Sequence, residues 1–107
     1  MGELRGEEMI ERGATPLHTF TVDEDCRLAE VIYITYVQHG RVVVEKTIND
    51  ITVEEDTITV QLSQEDTLRF DESETRIQIR ARFPGGRAIK SEVMLTEGDE
   101  LLKTEVI

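Results

Sequence analysis

The amino-acid sequence predicts an all-β fold: about seven short antiparallel strands in a sandwich or small barrel, with one short helical turn near residues 63–69. Three features predict it. β-branched and aromatic residues fall in short runs that alternate apolar and polar with period two, as half-buried strands do. Clusters of Gly, Pro, Asn and acidic residues break these runs at short intervals, the rhythm of an antiparallel sandwich or barrel. Two of the breaks, Gln38-His39-Gly40-Arg41 and Pro84-Gly85-Gly86, carry the glycine and proline chemistry of hairpin turns.

The chain has 107 residues, enough for one domain with its own core and no need of disulfides or metal. Residues 1–13 read as a flexible N-terminal arm and residues 14–107 as a single β domain. In the arm, Glu3, Glu7, Glu8 and Glu11 with Arg5 and Arg12 offer a helical turn or two, anchored only by Leu4, Met9 and Ile10. Pro16 then forces Thr15 into an extended conformation and ends any helix.

The first strand runs from Leu17, with His18, Phe20 and Val22 on one face and Thr19 and Thr21 on the other. Asp23-Glu24-Asp25 closes it. Val31 to Val37 and Val42 to Thr47 form the central hairpin, with Ile32, Ile34 and Tyr36 on the core face and Gly40 in the loop position that needs a positive φ. A short strand, Ile51 to Val53, follows the Asn49-Asp50 turn. After Glu54-Glu55-Asp56, Ile58, Val60 and Leu62 alternate with Thr57, Thr59 and Gln61.

Ser63 is placed to cap the helical turn, with Glu65 and Asp66 at the favourable end of its dipole. Leu68 and Phe70 would plug one edge of the core. Arg76 to Phe83 is the cleanest strand, with Ile77, Ile79, Ala81 and Phe83 inward and Arg76, Gln78, Arg80 and Arg82 outward. Pro84-Gly85-Gly86 turns the chain into Ala88 to Leu95. Glu100 to Ile107 reads as a short helix or a last strand that docks on the domain.

Composition limits the possible functions. Hydrophobic residues make up 38% and tryptophan is absent, so the core is aliphatic, with Phe20, Phe70, Phe83, Tyr33 and Tyr36 as its larger pieces. The single cysteine, Cys26, allows neither an intrachain disulfide nor a cysteine metal cluster, which fits folding in a reducing cytoplasm. No apolar run approaches the roughly 20 residues of a membrane-spanning helix. A formal net charge of −11 argues against nucleic acid as a partner, because phosphate contacts need Lys and Arg.

The acids cluster in Asp23-Glu24-Asp25, Glu54-Glu55-Asp56, Glu65-Asp66 and Asp71-Glu72, where they read as solvated turns. None has the ligand spacing of an EF-hand. His18 on an apolar face reads as a core or edge histidine, and His39 as an exposed loop residue. No nucleophile, base and orienting group are assembled by any motif, and no glycine loop is built to cradle phosphate. The expectation is a non-enzymatic protein without metal or cofactor.

One constellation stands out. Nine of the twelve basic residues are arginines, and Arg76, Arg80 and Arg82 form a stripe, with Arg87 across the second hairpin and Arg69 nearby in sequence. The simplest reading pairs them with Glu92 and other acids on the exposed face. The alternative is an interaction surface for a partner, or for copies of the chain arranged as a ring. Tyr33 and Val43 join this candidate surface. With Val31 they make the outer face of the central hairpin more apolar than solvent requires, so a cover is expected there: the N-terminal arm, the C-terminal tail or a second copy.

Three stretches carry a resemblance: Arg12-Gly13-Ala14-Thr15-Pro16-Leu17-His18-Thr19-Phe20, Ile34-Thr35-Tyr36-Val37-Gln38 and Gln64-Glu65-Asp66-Thr67-Leu68-Arg69-Phe70. They resemble a family of small, uncharacterised phage and prophage proteins of Gram-positive, gut-type bacteria, over most of the chain from about Met9 to Glu105-Val106-Ile107. More distantly the chain is similar to the immunoglobulin-like N-terminal domain of phage baseplate upper proteins. The resemblance implies an immunoglobulin-like sandwich and a structural or assembly role in a tail or baseplate, with other phage structural proteins or further copies as partners. It implies synthesis in the bacterial cytoplasm and residence in the virion. Two other function classes are a ligand-binding module for cell-wall glycan or a host protein, and an acidic inhibitor of a host protein that mimics DNA.

Overall fold

Strong period-two alternation in the central hairpin and in the strand after the helical turn makes these segments the centre of the larger sheet. The computed structural model describes residues 10–95, with side chains through Glu92. The expected helical turns before Ile10 and the expected docking of Glu100 to Ile107 lie outside the described residues.

Among the described residues seven strands form: β1 (Leu17–Thr21), β2 (Val31–Gln38), β3 (Arg41–Thr47), β4 (Ile51–Glu54), β5 (Thr57–Gln61), β6 (Thr75–Arg82) and β7 (Ala88–Leu95). A 3-10 turn, Ile48–Asp50, joins β3 to β4, and a short helix, α1 (Gln64–Leu68), lies between β5 and β6. One sheet has the order β1-β5-β4 and the other β3-β2-β6-β7, and every pairing is antiparallel. With β1 as strand B, these are the B-E-D and C′-C-F-G sheets of an immunoglobulin-like sandwich. The predicted all-β sandwich of about seven strands is the observed fold.

The core lies between the sheets where the alternation put it. Ile32, Ile34 and Tyr36 of β2 stand opposite Ala81, Ile79 and Ile77 of β6, and all are buried. On the facing sheet His18 and Phe20 of β1 stand opposite Val60 and Ile58 of β5. His18, Phe20, Tyr36 and Phe70 form a chain of ring contacts, in which Tyr36 meets Phe70 edge-on at 5.7 Å between ring centres.

The packed domain begins earlier than position 14. Ile10 is fully buried in the core, so the predicted arm boundary moves back, and residues 10–13 belong with the sandwich. Thr67 of α1 holds this segment: its hydroxyl donates to the Ala14 carbonyl at 2.9 Å and accepts the Gly13 N–H at 3.0 Å.

Helix α1 forms where Ser63 and Asp66 cap each other. Ser63 Oγ accepts the Asp66 N–H at 3.0 Å, and the Asp66 carboxylate accepts the Ser63 N–H at 2.9 Å. The same carboxylate takes Lys46 Nζ at 2.8 Å, with both side chains largely shielded. Lys46 pairs with Ile34 in the register and so sits on the core side of edge strand β3. Its ion pair with α1 crosses the mouth of the sandwich, and an inward charge on an edge strand also discourages stray strand pairing. Burial works against ionisation of Asp66, but the Lys46 and Ser63 hydrogen bonds outweigh it and hold its carboxyl below the ordinary range.

Candidate functional site

Outer faces of sheets are where this fold can present side chains that its core does not need. On the four-stranded sheet, β6 alternation turns Arg76, Gln78, Arg80 and Arg82 outward as predicted. The register sets them in rows. Arg82 stands between Val31 and Ala88, Arg80 between Tyr33 and Lys90, Gln78 between Thr35 and Glu92.

The three arginines of the predicted stripe and Arg87 across the hairpin do not behave alike. Arg76 reaches Glu92 at 3.4 Å, and Gln78 donates to the same carboxylate at 3.0 Å. These bonds, the Gln78 one foremost, hold the Glu92 carboxyl below its ordinary range. Arg87 pairs with Glu24 at 2.6 Å and lies over the Phe83 ring at 4.6 Å. Cross-strand and loop pairing thus accounts for both ends.

The middle is different. Arg80 and Arg82 have no ion pair among the described residues, and the cross-strand neighbour of Arg80 is another cation, Lys90. Like charges directly opposite across a sheet are destabilising. On the other side of Arg80 is Tyr33, 42% exposed. A shallow depression of about 170 Å³ is lined by Val31, Tyr33, Arg80, Ala81, Arg82 and Ala88. Its floor is apolar and its rim guanidinium, a combination suited to carboxylate-bearing protein surface, because Arg can bind a carboxylate bidentately and still pack flat.

Two predicted members of the surface lie elsewhere. Val43 is half-buried and packs against the core. The reason is a β-bulge: Tyr36 pairs with Val44 and Val37 with Val42, so Val43 is the extra residue and drops out of the outward set. Val42 is the residue left exposed, at 60%. Tyr33 faces out as predicted, but no described segment covers it. Arg69 lies apart from the stripe, with His39, Arg41, Val42 and Asp71 around an open basin of about 540 Å³ beside the β2–β3 loop.

The titratable candidates are structural. His18 Nδ1 is 2.7 Å from Tyr36 Oη inside the core, joining the two sheets. Burial lowers the His18 pKa to about 4, and burial foremost raises the Tyr36 phenol well above its ordinary range. Cys26 is buried with its thiol toward the Glu24 carbonyl, and burial together with Glu24, Asp25 and Asp56 pushes its pKa up, away from the reactive thiolate. His39 is exposed and bonds Asp71 at 2.7 Å. Among the described residues no group of three or more His, Cys, Asp or Glu is placed to hold a metal ion.

Sequence reasoning missed two working residues and one joining of turns. Gln38 was assigned to the loop, yet its buried amide donates to the carbonyls of Asp71 and Ser73 and to Thr75 Oγ1, and accepts the Asp71 N–H. Parity with Ile32, Ile34 and Tyr36 was the available signal. Lys90 was missed because only the register sets it beside Arg80. The acidic turns were read one by one, whereas Val22 N–H donates to the Asp56 carbonyl at 2.9 Å and Cys26 N–H to the Glu55 carbonyl at 2.7 Å. Those bonds bring Asp23-Glu24-Asp25 and Glu54-Glu55-Asp56 together at one end of the sandwich.

Comparison of the chain with protein-family models, curated proteins and solved structures finds no match. No helix among the described residues is long and apolar enough to cross a membrane.

Proposed function

We propose that the chain is a non-enzymatic assembly protein that binds a protein partner through the outer face of its four-stranded sheet, at Tyr33, Arg80, Arg82 and Lys90. The observation that carries this reading is the row at Arg80: two opposed cations, with no ion pair on Arg80 among the described residues, beside an exposed tyrosine, on a chain whose net charge is −11. The fold gains nothing from that row, whereas an acidic partner would. Resemblance of the sequence to phage and prophage proteins makes tail or baseplate proteins the expected partners and the virion the expected place. A glycan-binding role finds less support, since Tyr33 is the sole aromatic side chain among the exposed large hydrophobics of the described residues.

The test is mass spectrometry of purified particles after prophage induction, with the wild-type chain and with an Arg80→Glu/Arg82→Glu variant. Both positions are exposed, so the variant is expected to fold and to be lost from the particles. Absence of the wild-type chain, or incorporation of the variant at wild-type level, overturns the proposal.

A further inference from the structure

We infer that the partner of the Arg80–Arg82 face is a second copy of this chain, which docks the acidic β4–β5 turn of one molecule into the Tyr33–Arg80–Arg82 depression of the next. This rests on the reading of the outer face as a protein-binding surface and names its occupant.

Charge complementarity selects the occupant. A two-fold contact through this face would set Arg80, Arg82 and Lys90 of one copy against the same cations of the other, and like-charge juxtaposition opposes it. The chain carries the complement elsewhere. Glu54 and Thr57 pair across a two-residue turn, so Glu54, Glu55 and Asp56 stand on a narrow tip. None of the three is in an ion pair among the described residues, and all are exposed. Nearby Glu24 and Asp25, by contrast, are taken up by Arg87 and Arg27.

The tip is also held in place before any partner arrives. Backbone carbonyls of Glu55 and Asp56 accept the Cys26 and Val22 N–H groups, which fixes the turn against the β1–β2 connection. A preorganised tip loses little freedom on docking. Its carboxylates match the guanidinium rim of the depression, while Val31 and Tyr33 supply apolar contact. Donor tip and receptor face are different patches, so the contact is heterologous and propagates into a ring or an open filament rather than a closed two-fold dimer.

The experiment is sedimentation velocity with light scattering on the full chain at low and high ionic strength, followed by titration with Arg80→Glu/Arg82→Glu. Wild-type protein is expected to form species larger than a dimer at low salt and to dissociate at high salt. The variant keeps the donor tip but has no receptor face. Alone it is expected to be monomeric, and added to wild type it is expected to stop growth, lowering the mean mass in proportion to its mole fraction. Arg80→Lys/Arg82→Lys keeps the charge but loses bidentate pairing, so it should associate more weakly than wild type and more strongly than the glutamate variant. A monomeric wild type at low salt, or a variant that leaves wild-type assemblies unchanged, overturns the inference. Loss of the same variant from particles while the pure wild type stays monomeric would reject self-docking and leave the outer face as the site for a different partner.

Discussion

His18 of β1 and Tyr36 of β2 share a 2.7 Å hydrogen bond between Nδ1 and Oη in the core, one from each sheet. Phe20 meets the His18 ring edge-on at 6.4 Å, and Phe70 meets Tyr36. The bond satisfies two polar groups that the sandwich would otherwise bury unpaired, and it sets the position of one sheet relative to the other.

This pair makes stability depend on pH in a defined window. The unfolded histidine titrates near 6.5 and the folded one at about 4, so between these values the unfolded chain binds more protons. Stability contributed by neutral His18 is complete above about 6.5 and is lost as pH falls toward 4, by on the order of 3 kcal/mol across the window. Urea denaturation of wild type and His18→Gln at pH 7 and pH 4.5 checks this. The wild type should lose far more stability than the variant over that interval, and parallel losses would show that His18 is not the group responsible. Tyr36→Phe leaves Nδ1 unpartnered and should cost about 1–3 kcal/mol at neutral pH.

The Thr67 hydroxyl is the tie between α1 and the segment that carries Ile10 into the core. Thr67→Val keeps the shape and removes the tie, leaving the Gly13 N–H and Ala14 carbonyl without their partner, at a cost of about 1–3 kcal/mol. Faster hydrogen exchange at the Gly13 amide should accompany the loss. Thr67→Ser keeps the hydroxyl and should keep the protection. Unchanged exchange in Thr67→Val would mean that Ile10 packing alone holds the segment.

Alternation in the sequence was enough to find the two sheets, because side-chain period and burial are the same fact in a strand whose one face is buried. Ile32, Ile34, Tyr36, Ile77 and Ile79 could be assigned to the core on that ground, and Ser63 could be assigned as a cap from residue chemistry. Val43 could not be read correctly. One bulge residue shifts the parity of everything beyond it, and no residue type marks the position. The Arg80–Lys90 opposition and the joined acidic turns were hidden for a related reason: both depend on strand register or on backbone bonds between distant loops. The arginine stripe was visible as a pattern, but which of its members are satisfied became visible only with their neighbours in place.

Glu55 sits at φ +53°, a left-handed conformation that most side chains avoid, in the turn between β4 and β5. The conformation costs a non-glycine residue on the order of 1 kcal/mol, and glycine's extra chain entropy returns part of the gain from its removal. Glu55→Gly should therefore stabilise the fold by a few tenths to about 1 kcal/mol. Glu55→Ala is the control, because it removes the same carboxylate and leaves the backbone strain. If relief of charge crowding among the clustered acids were the cause, both variants would gain equally in urea. The backbone account requires that glycine gain and alanine not. Self-association separates the two roles further: a tip that docks through its carboxylates is weakened equally in both variants, so Glu55→Gly should be the more stable protein and the poorer assembler. A glycine variant that is more stable and assembles as well as wild type would remove Glu55 from the docking tip while leaving the turn argument intact.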